Sequence, residues 1–282
     1  MLVTLWGTRG SLAVPGPETA RYGGNTSCVS VRGREGTLLV LDAGTGIRRL
    51  GTTLDAKASR VDVLLTHLHM DHIQGLGFFA PLYQPQTDVH LWGPASTRWS
   101  LQTRIRRYLS PPLFPVGMHE LPCRMHLHEL SRSEIDIGEF RIATARVCHP
   151  GATIGYRITD GDGNVMTYIP DHEPALGPNP FPSLPREWTS GAMLADSSDL
   201  LIHDGQYSSH EYRDRIGWGH SALRHVLDFA RLVDAKHLVP FHHDPDHSDA
   251  DLDRLMSEAI EEFTPAFRVT PACEGMRFDL DR

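Results

Sequence analysis

The chain has little cysteine, no long apolar run and no excess of basic residues, and each shortage removes a class of protein. Cys28, Cys123, Cys148 and Cys273 are the only cysteines in 282 residues. They form no C-x-x-C pair and lack both the density that staples small secreted domains and the spacing of a zinc finger. They read as reduced thiols. No stretch approaches the roughly eighteen apolar residues of a membrane span. The run from Met1 to Trp6 is too short, and lacks the basic leader, for a signal peptide. The expectation is a soluble cytoplasmic protein with no membrane contact. The formal charge is −8, whereas proteins that hold long nucleic acid usually carry a basic face. Long nucleic acid is therefore disfavoured as a partner. A small anionic substrate stays compatible, because bound cations would add positive charge that the formal count omits.

What is present fits an ordinary globular chain, with 40% hydrophobic and 22% charged residues, enough to bury a sizeable core. One domain spanning 1–282 is expected. Strands are read at 2–6, 28–32, 38–41 and 61–65, with the Pro- and Gly-containing stretch 14–24 irregular. Apolar residues at helical spacing predict a helix over 47–54, and further helices are expected near 72–83 and 96–108, with a strand at 89–92 between them. The segment from Leu109 to Pro122 reads as a surface loop that could serve as a lid or a homodimer contact. A second half follows, with strands near 125–130, 139–148, 153–159 and 164–169. After the Pro-rich stretch 174–185 come a helix, a strand at 199–203, a helix opening near His220, a strand at 237–241, a helix near 249–263 and a strand around Phe278. Strands alternating with helices make this an α/β fold.

His67, His69, Asp71 and His72 lie within six residues, just after an apolar strand, where a rigid sheet commonly presents chemistry. Zinc, iron and manganese all accept imidazole nitrogen and carboxylate oxygen. A lone histidine would read as a surface or hydrogen-bonded core residue. Several imidazoles crowded beside a carboxylate need a cation to hold them together, and the cluster therefore reads as a metal site.

The cluster Thr66-His67-Leu68-His69-Met70-Asp71-His72 matches H-x-H-x-D-H, and in this the chain resembles the metallo-β-lactamase superfamily. Leu41-Asp42-Ala43-Gly44-Thr45-Gly46 resembles the family's upstream strand and turn, and Cys148-His149-Pro150-Gly151 the segment of its third metal histidine. Tyr168-Ile169-Pro170-Asp171 is similar to the bridging-aspartate strand of the branch containing tRNase Z and related phosphodiesterases. Val239-Pro240-Phe241-His242 is similar to its last ligand segment. The resemblance implies a four-layer αββα sandwich holding two divalent metal ions, Zn²⁺ first, with Mn²⁺ or Fe²⁺ as alternatives. His67, His69 and His149 would hold one ion, Asp71, His72 and His242 the other, with Asp171 between them. His243, Asp244 and His247 fit the strand-end register less well.

The resemblance extends to Leu200-Leu201-Ile202-His203-Asp204 and Gly217-Trp218-Gly219-His220-Ser221. It implies that Asp204 orients His220 near a leaving phosphate, where the following helix's first-turn amides could favour an anion; otherwise Gly219 to Ser221 only start that helix. Asp42 reads either as the partner of a ligating histidine or as a turn aspartate, and Arg9 as a solvated loop residue in preference to a contact for a substrate anion. The implied chemistry is phosphodiester hydrolysis by a metal-bridging hydroxide, with Asp71 and Asp171 polarising the nucleophile and His220 assisting the leaving oxygen. The bacterial tRNase Z carries its tRNA-gripping arm between the third histidine and the bridging aspartate. Here the interval from His149 to Asp171 holds only two strands and a turn, which favours a small or cyclic phosphodiester. Thioester or lactone hydrolysis is the enzymatic alternative, and a metal-binding sensor without turnover is the other.

Overall fold

Alternating apolar side chains build two sheets that share one interior. The computed structural model describes residues 1–55, 59–174, 181 and 184–281. Six strands come first: β1 (Leu2–Gly7), β2 (Cys28–Arg32), β3 (Leu38–Leu41), β4 (Arg60–Leu64), β5 (Asp88–Pro94) and β6 (Arg124–Leu130). A second series follows: β7 (Glu134–Ile137), β8 (Phe140–Arg146), β9 (Ile154–Thr159), β10 (Val165–Ile169), β11 (Leu200–Asp204), β12 (His237–Phe241) and β13 (Arg268–Val269). Strand β14 (Arg277–Asp279) then returns to pair with β1.

The two sheets run β14-β1-β2-β3-β4-β5-β6 and β13-β12-β11-β10-β9-β8-β7. Each is antiparallel on one side and parallel on the other. In the first, the pairings from β14 to β3 are antiparallel and those from β3 to β6 parallel. In the second, the pairings from β7 to β10 are antiparallel and those from β10 to β13 parallel. Parallel neighbours end at the same edge of a sheet, which brings the loops after β3 and β4 together in the first sheet and those after β10, β11 and β12 in the second.

The period-two pattern assigns the faces. Leu39, Leu41 and Leu64 point into the space between the sheets and meet Tyr156, Tyr168, Val239 and Phe241, while Val40, Val61 and Val63 point the other way. Outside the first sheet, α1 (Ile47–Thr53) contributes Ile47 and Leu50, and α3 (Leu101–Tyr108) contributes Leu101 and Ile105. Between them in the chain, α2 (Met70–Ile73) follows β4 directly. Outside the second sheet, α4 (Ala192–Ala195) and α6 (Leu223–Leu232) cover Leu201 and Leu238 with Ala192, Leu194, Val226 and Phe229. Helices α5 (Ser209–Tyr212) and α7 (Asp249–Phe263) lie on either side of α6 in sequence. The layers are helix, sheet, sheet, helix, the αββα sandwich expected.

Several expectations differ from the structure for local reasons. The helix expected over 72–83 is α2 followed by two short 3₁₀ turns at Leu76–Phe78 and Ala80–Tyr83. Gly75, Gly77 and Pro81 lower helix propensity there or remove a backbone donor. Helix α3 starts only after Ser100, whose side chain accepts from the Thr103 amide, a regular N-cap. The segment 109–122 is no simple surface loop, since Leu109, Phe114 and Leu121 are buried against the outer core of the first sheet. Strands β7 and β13 and helix α5 were not expected, being too short for periodicity to reveal. Most of the stretch 174–185 lies outside the described residues. Among the described residues no helix is long and apolar enough to cross a membrane, and the four cysteines are free.

Arg9 overturns its sequence reading. Its side chain is 0% exposed. Its Nε donates to Gly23 O at 2.9 Å, and Nη1 donates to Asp244 O and His247 O at 3.0 and 2.6 Å. Asp249 Oδ1 stands 3.8 Å from Nη2. The guanidinium thus ties the loop after β1 to the segment that follows β12, a long-range role that no local pattern announces. Removing one partner from such a buried network typically costs about 3 kcal/mol or more. Arg9→Met should lower unfolding stability in urea by roughly that amount; a loss under about 1 kcal/mol, the level of a surface contact, would show that the clamp is dispensable.

Candidate dinuclear metal centre

Strand β4 ends at Leu64, and the next turn and α2 deliver His67, His69, Asp71 and His72 to the sheet edge. Asp42, at the end of β3, holds this turn. It accepts from the Thr66 amide at 2.8 Å, from the Thr66 and Tyr168 hydroxyls, and from His72 Nδ1 at 2.8 Å. Of the two readings of Asp42, the structure therefore supports the partner of a site histidine. Its φ of 58° is the left-handed conformation that aspartate tolerates better than most residues.

The second sheet supplies the remaining groups. His149 follows β8, Asp171 follows β10 and His242 follows β12. Two sets form, His67, His69, His149 and Asp171, and Asp71, His72, Asp171 and His242, each with one potential ligand atom per residue inside a 4.8 Å span. Asp171 belongs to both. Its Oδ2 lies 3.5 Å from His67 Nε2 and from His149 Nε2. Its Oδ1 lies 2.9 Å from His72 Nε2 and 3.3 Å from His242 Nε2.

The donor atoms suit cations. His69 Nδ1 and His149 Nε2 are 3.2 Å apart, and His72 Nε2 and His242 Nε2 are 3.3 Å apart. Zinc–nitrogen bonds near 2.1 Å in a tetrahedron give a ligand–ligand edge of about 3.4 Å. His67 Nε2 is buried without a hydrogen-bond partner, an unsatisfied state that a metal bond would relieve. The opposite ring nitrogens are fixed: His72 Nδ1 by Asp42, His149 Nδ1 by Gly219 O at 2.8 Å, and His242 Nδ1 by Gln206 Oε1 at 3.0 Å. Partners of this kind set the tautomer and turn the free nitrogen inward. Two glycines permit the close fit, since a Cβ on Gly10 would lie 2.3 Å from the His242 ring and one on Gly219 2.4 Å from His149 Nδ1.

Electrostatics agree with the geometry. Burial, reinforced by the neighbouring His72, drives His67 well below the usual histidine range. Burial alone would lower His72 too, but Asp171, Asp71 and Asp42 outweigh it and push its pKa up. The three carboxylates that favour a proton there would equally favour a divalent cation. Burial alone would raise Asp171, yet His242, His72 and His67 hold it well below the carboxylate range.

A domain-family model described as "Beta-lactamase superfamily domain" matches residues 37–243, which include His67, His69, Asp71, His72, His149, Asp171, Asp204, His220 and His242. The chain belongs to the metallo-β-lactamase superfamily. A superfamily relative, ribonuclease Z of Haloarcula marismortui, is 24% identical over 93% of this chain and 92% of its own length. Among solved structures, the metallo-β-lactamase fold protein YhfI from Bacillus subtilis superposes with a TM-score of 0.69 at 18% identity, covering 98% of both chains. A diphosphatase from the PhnP family gives a TM-score of 0.69 at 19% identity, over 98% of this chain and 96% of that one.

Beside these two sets stands a further group, Asp204, His220 and His242. His220 Nδ1 lies 2.7 Å from Asp204 Oδ2, and its ring stacks on His242 at 5.0 Å. Burial alone would lower the His220 pKa, but Asp204, followed by Asp171 and Asp71, raises it to about 9. The helix after it, α6, begins at Leu223, and the amides of Ser221 and Leu223 are engaged by Asp204 Oδ1 and Tyr207 O. His243, Asp244 and His247 stay out of the centre, as their register implied. His243 Nε2 donates to Ala272 O, Asp244 accepts from the Asp246 amide, and His247 meets Glu211.

Sequence reasoning missed Ser11, whose amide donates to Asp71 Oδ2 at 2.8 Å, as well as Gln206 and Glu173. Only the place of Gln206, two residues past the Asp204 strand end, hinted at a role. The chain should bind two divalent ions, counted by elemental analysis after dialysis against a weak chelator. His149→Ala and His242→Ala should each lose one ion. Asp42→Asn should weaken binding about 10–100-fold; unchanged affinity would contradict its orienting role.

Proposed function

We propose that this metal-dependent hydrolase cleaves a small or cyclic phosphodiester. Its ligands are taken to be His67, His69 and His149 for one cation and Asp71, His72 and His242 for the other, with Asp171 shared. Two divalent cations, when bound, acidify water and neutralise negative charge on a phosphate. Asp71 and Asp171 line the space between the two sets and are placed to orient the attacking water. The observation that carries the choice of reaction is the Asp204–His220 pair, 2.7 Å apart at the edge of the centre.

Asp204 accepts from Nδ1 of His220, which leaves Nε2 for substrate. The Asp204 carboxylate favours the protonated ring, the form in which it can act as an acid for a leaving oxygen. Bound cations would offset the contributions of Asp171 and Asp71 to that shift, and Asp204 would remain as its chief support. A thioester's thiolate would leave without such an acid, whereas an alkoxide departing from phosphorus needs the proton. The ribonuclease Z name of a similar protein supports phosphodiester cleavage, and the diphosphatase name of a structural neighbour supports hydrolysis at phosphorus more generally. The preference for a compact substrate rests on the interval between His149 and Asp171, filled by β9, β10 and their turn, together with the formal charge of −8.

A panel of cyclic nucleotides, linear dinucleotides, bis-p-nitrophenyl phosphate, thioesters and a structured RNA tests both steps. Compact diesters should be turned over best; faster thioester cleavage would sink the reaction class, and a strong preference for the RNA would sink the size class. His220→Ala should keep both cations while kcat falls about 10²–10⁴-fold on diesters with a ribose leaving group. The loss should be much smaller with p-nitrophenolate, which leaves without a proton.

A further inference from the structure

Glu173 is a buried carboxylate with no part in either ligand set. Its side chain is 1% exposed. It accepts from the Gly217 amide at 2.8 Å, the Gly219 amide at 2.7 Å and the Tyr212 hydroxyl at 2.8 Å. Its own amide donates to Cys148 O at 2.9 Å, beside His149. Three donors converging on one carboxylate form a strong charge-assisted arrangement, here directed at a loop without regular structure.

That loop serves the centre at two points. Gly219 O accepts from His149 Nδ1 at 2.8 Å, and the next residue, His220, reaches Asp204 at 2.7 Å. Gly217 and Gly219 have φ of 87° and 92°, a left-handed backbone that glycine adopts freely and therefore does not hold by itself. An external anchor is needed to select one loop conformation. We propose that Glu173 is this anchor, a positioning residue that sets the Gly219 carbonyl against His149 and His220 against Asp204 in a single act.

Replacing Glu173 by Gln keeps the size but leaves one acceptor oxygen and turns an NH₂ toward a backbone N–H. One of the two glycine amides then loses its partner. The Gly219 carbonyl and the His220 ring should shift together, because one peptide segment carries both.

The wild-type holoenzyme gives the first test, by amide hydrogen exchange observed by NMR. Gly217 and Gly219 should exchange at least about 100-fold more slowly than Gly161, whose amide sits in an open turn. In Glu173→Gln this protection should vanish, and the low-field Nδ1 proton of His220 should shift or broaden. The kinetic arm rests on the phosphodiesterase reading. There kcat should fall about tenfold or more with a ribose leaving group and much less with p-nitrophenolate, with KM little changed. A simple loss of folded protein would lower both substrates alike. Glu173→Asp, which keeps both acceptor oxygens, should recover part of the protection and of the leaving-group dependence, and it stands in if the Gln variant does not fold. Exchange of Gly217 and Gly219 at the rate of Gly161, or equal losses on the two substrates, would overturn the proposal. If the wild type cleaves no diester, the functional reading falls, and exchange with the His220 resonance decides the role of Glu173 alone.

Discussion

Asp171 faces imidazoles from both sheets at once, one carboxylate oxygen toward each set. Buried charge of this kind is tolerable only when opposite charge lies close by, and the surroundings of the centre follow from that demand. Asp42, Gln206 and Gly219 O turn the outer nitrogens of three histidines away, so that the inner nitrogens meet around the shared carboxylate. The Ser11 amide steadies Asp71, and Arg9 ties down the loop on which Ser11 sits. These partners restrain the rings and carboxylates from outside, while His67 Nε2 stays without a protein partner; a buried network held in this way is rigid.

The repeated sheet pattern explains why so few strands are involved. In both sheets the antiparallel part supplies interior packing, and the parallel part brings strand ends to a common edge. The step from β3 to β4 places Asp42 next to the His67 turn, and the steps from β10 to β12 place Asp171, Asp204 and His242 in line. Two of these strand-end residues, Asp42 and His242, adopt left-handed backbone at φ of 58° and 62°. For a histidine that conformation is costly. It turns the ring back over the edge instead of continuing the strand, and Gly10, without a side chain, leaves room for it.

What the sequence disclosed depended on how local the cause was. The H-x-H-x-D-H cluster, the strand-end aspartate and histidine, and the longer strands were legible because a short window contains their whole reason. The 72–83 region was misread because helical spacing there competes with Gly75, Gly77 and Pro81. Phe114 and Arg9 were misread because burial depends on what the fold lays over a loop, which no window around either residue contains. Glu173 and Gln206 left no signature, since a hydrogen bond to a distant loop or histidine imposes no spacing. The residues that could touch a cation were visible; most of those that aim them were not.

The location of the centre has a consequence for how the chain matures. His67, His69, Asp71 and His72 come from the first sheet, and His149, Asp171 and His242 from the second, so neither half contains either candidate set whole. A nascent chain that has formed only its amino-terminal layer can offer at most a weak chelate. Tight capture of cations by these sets would await docking of the two layers, and ions so held would act as a rivet, drawing the assembly equilibrium toward the closed sandwich.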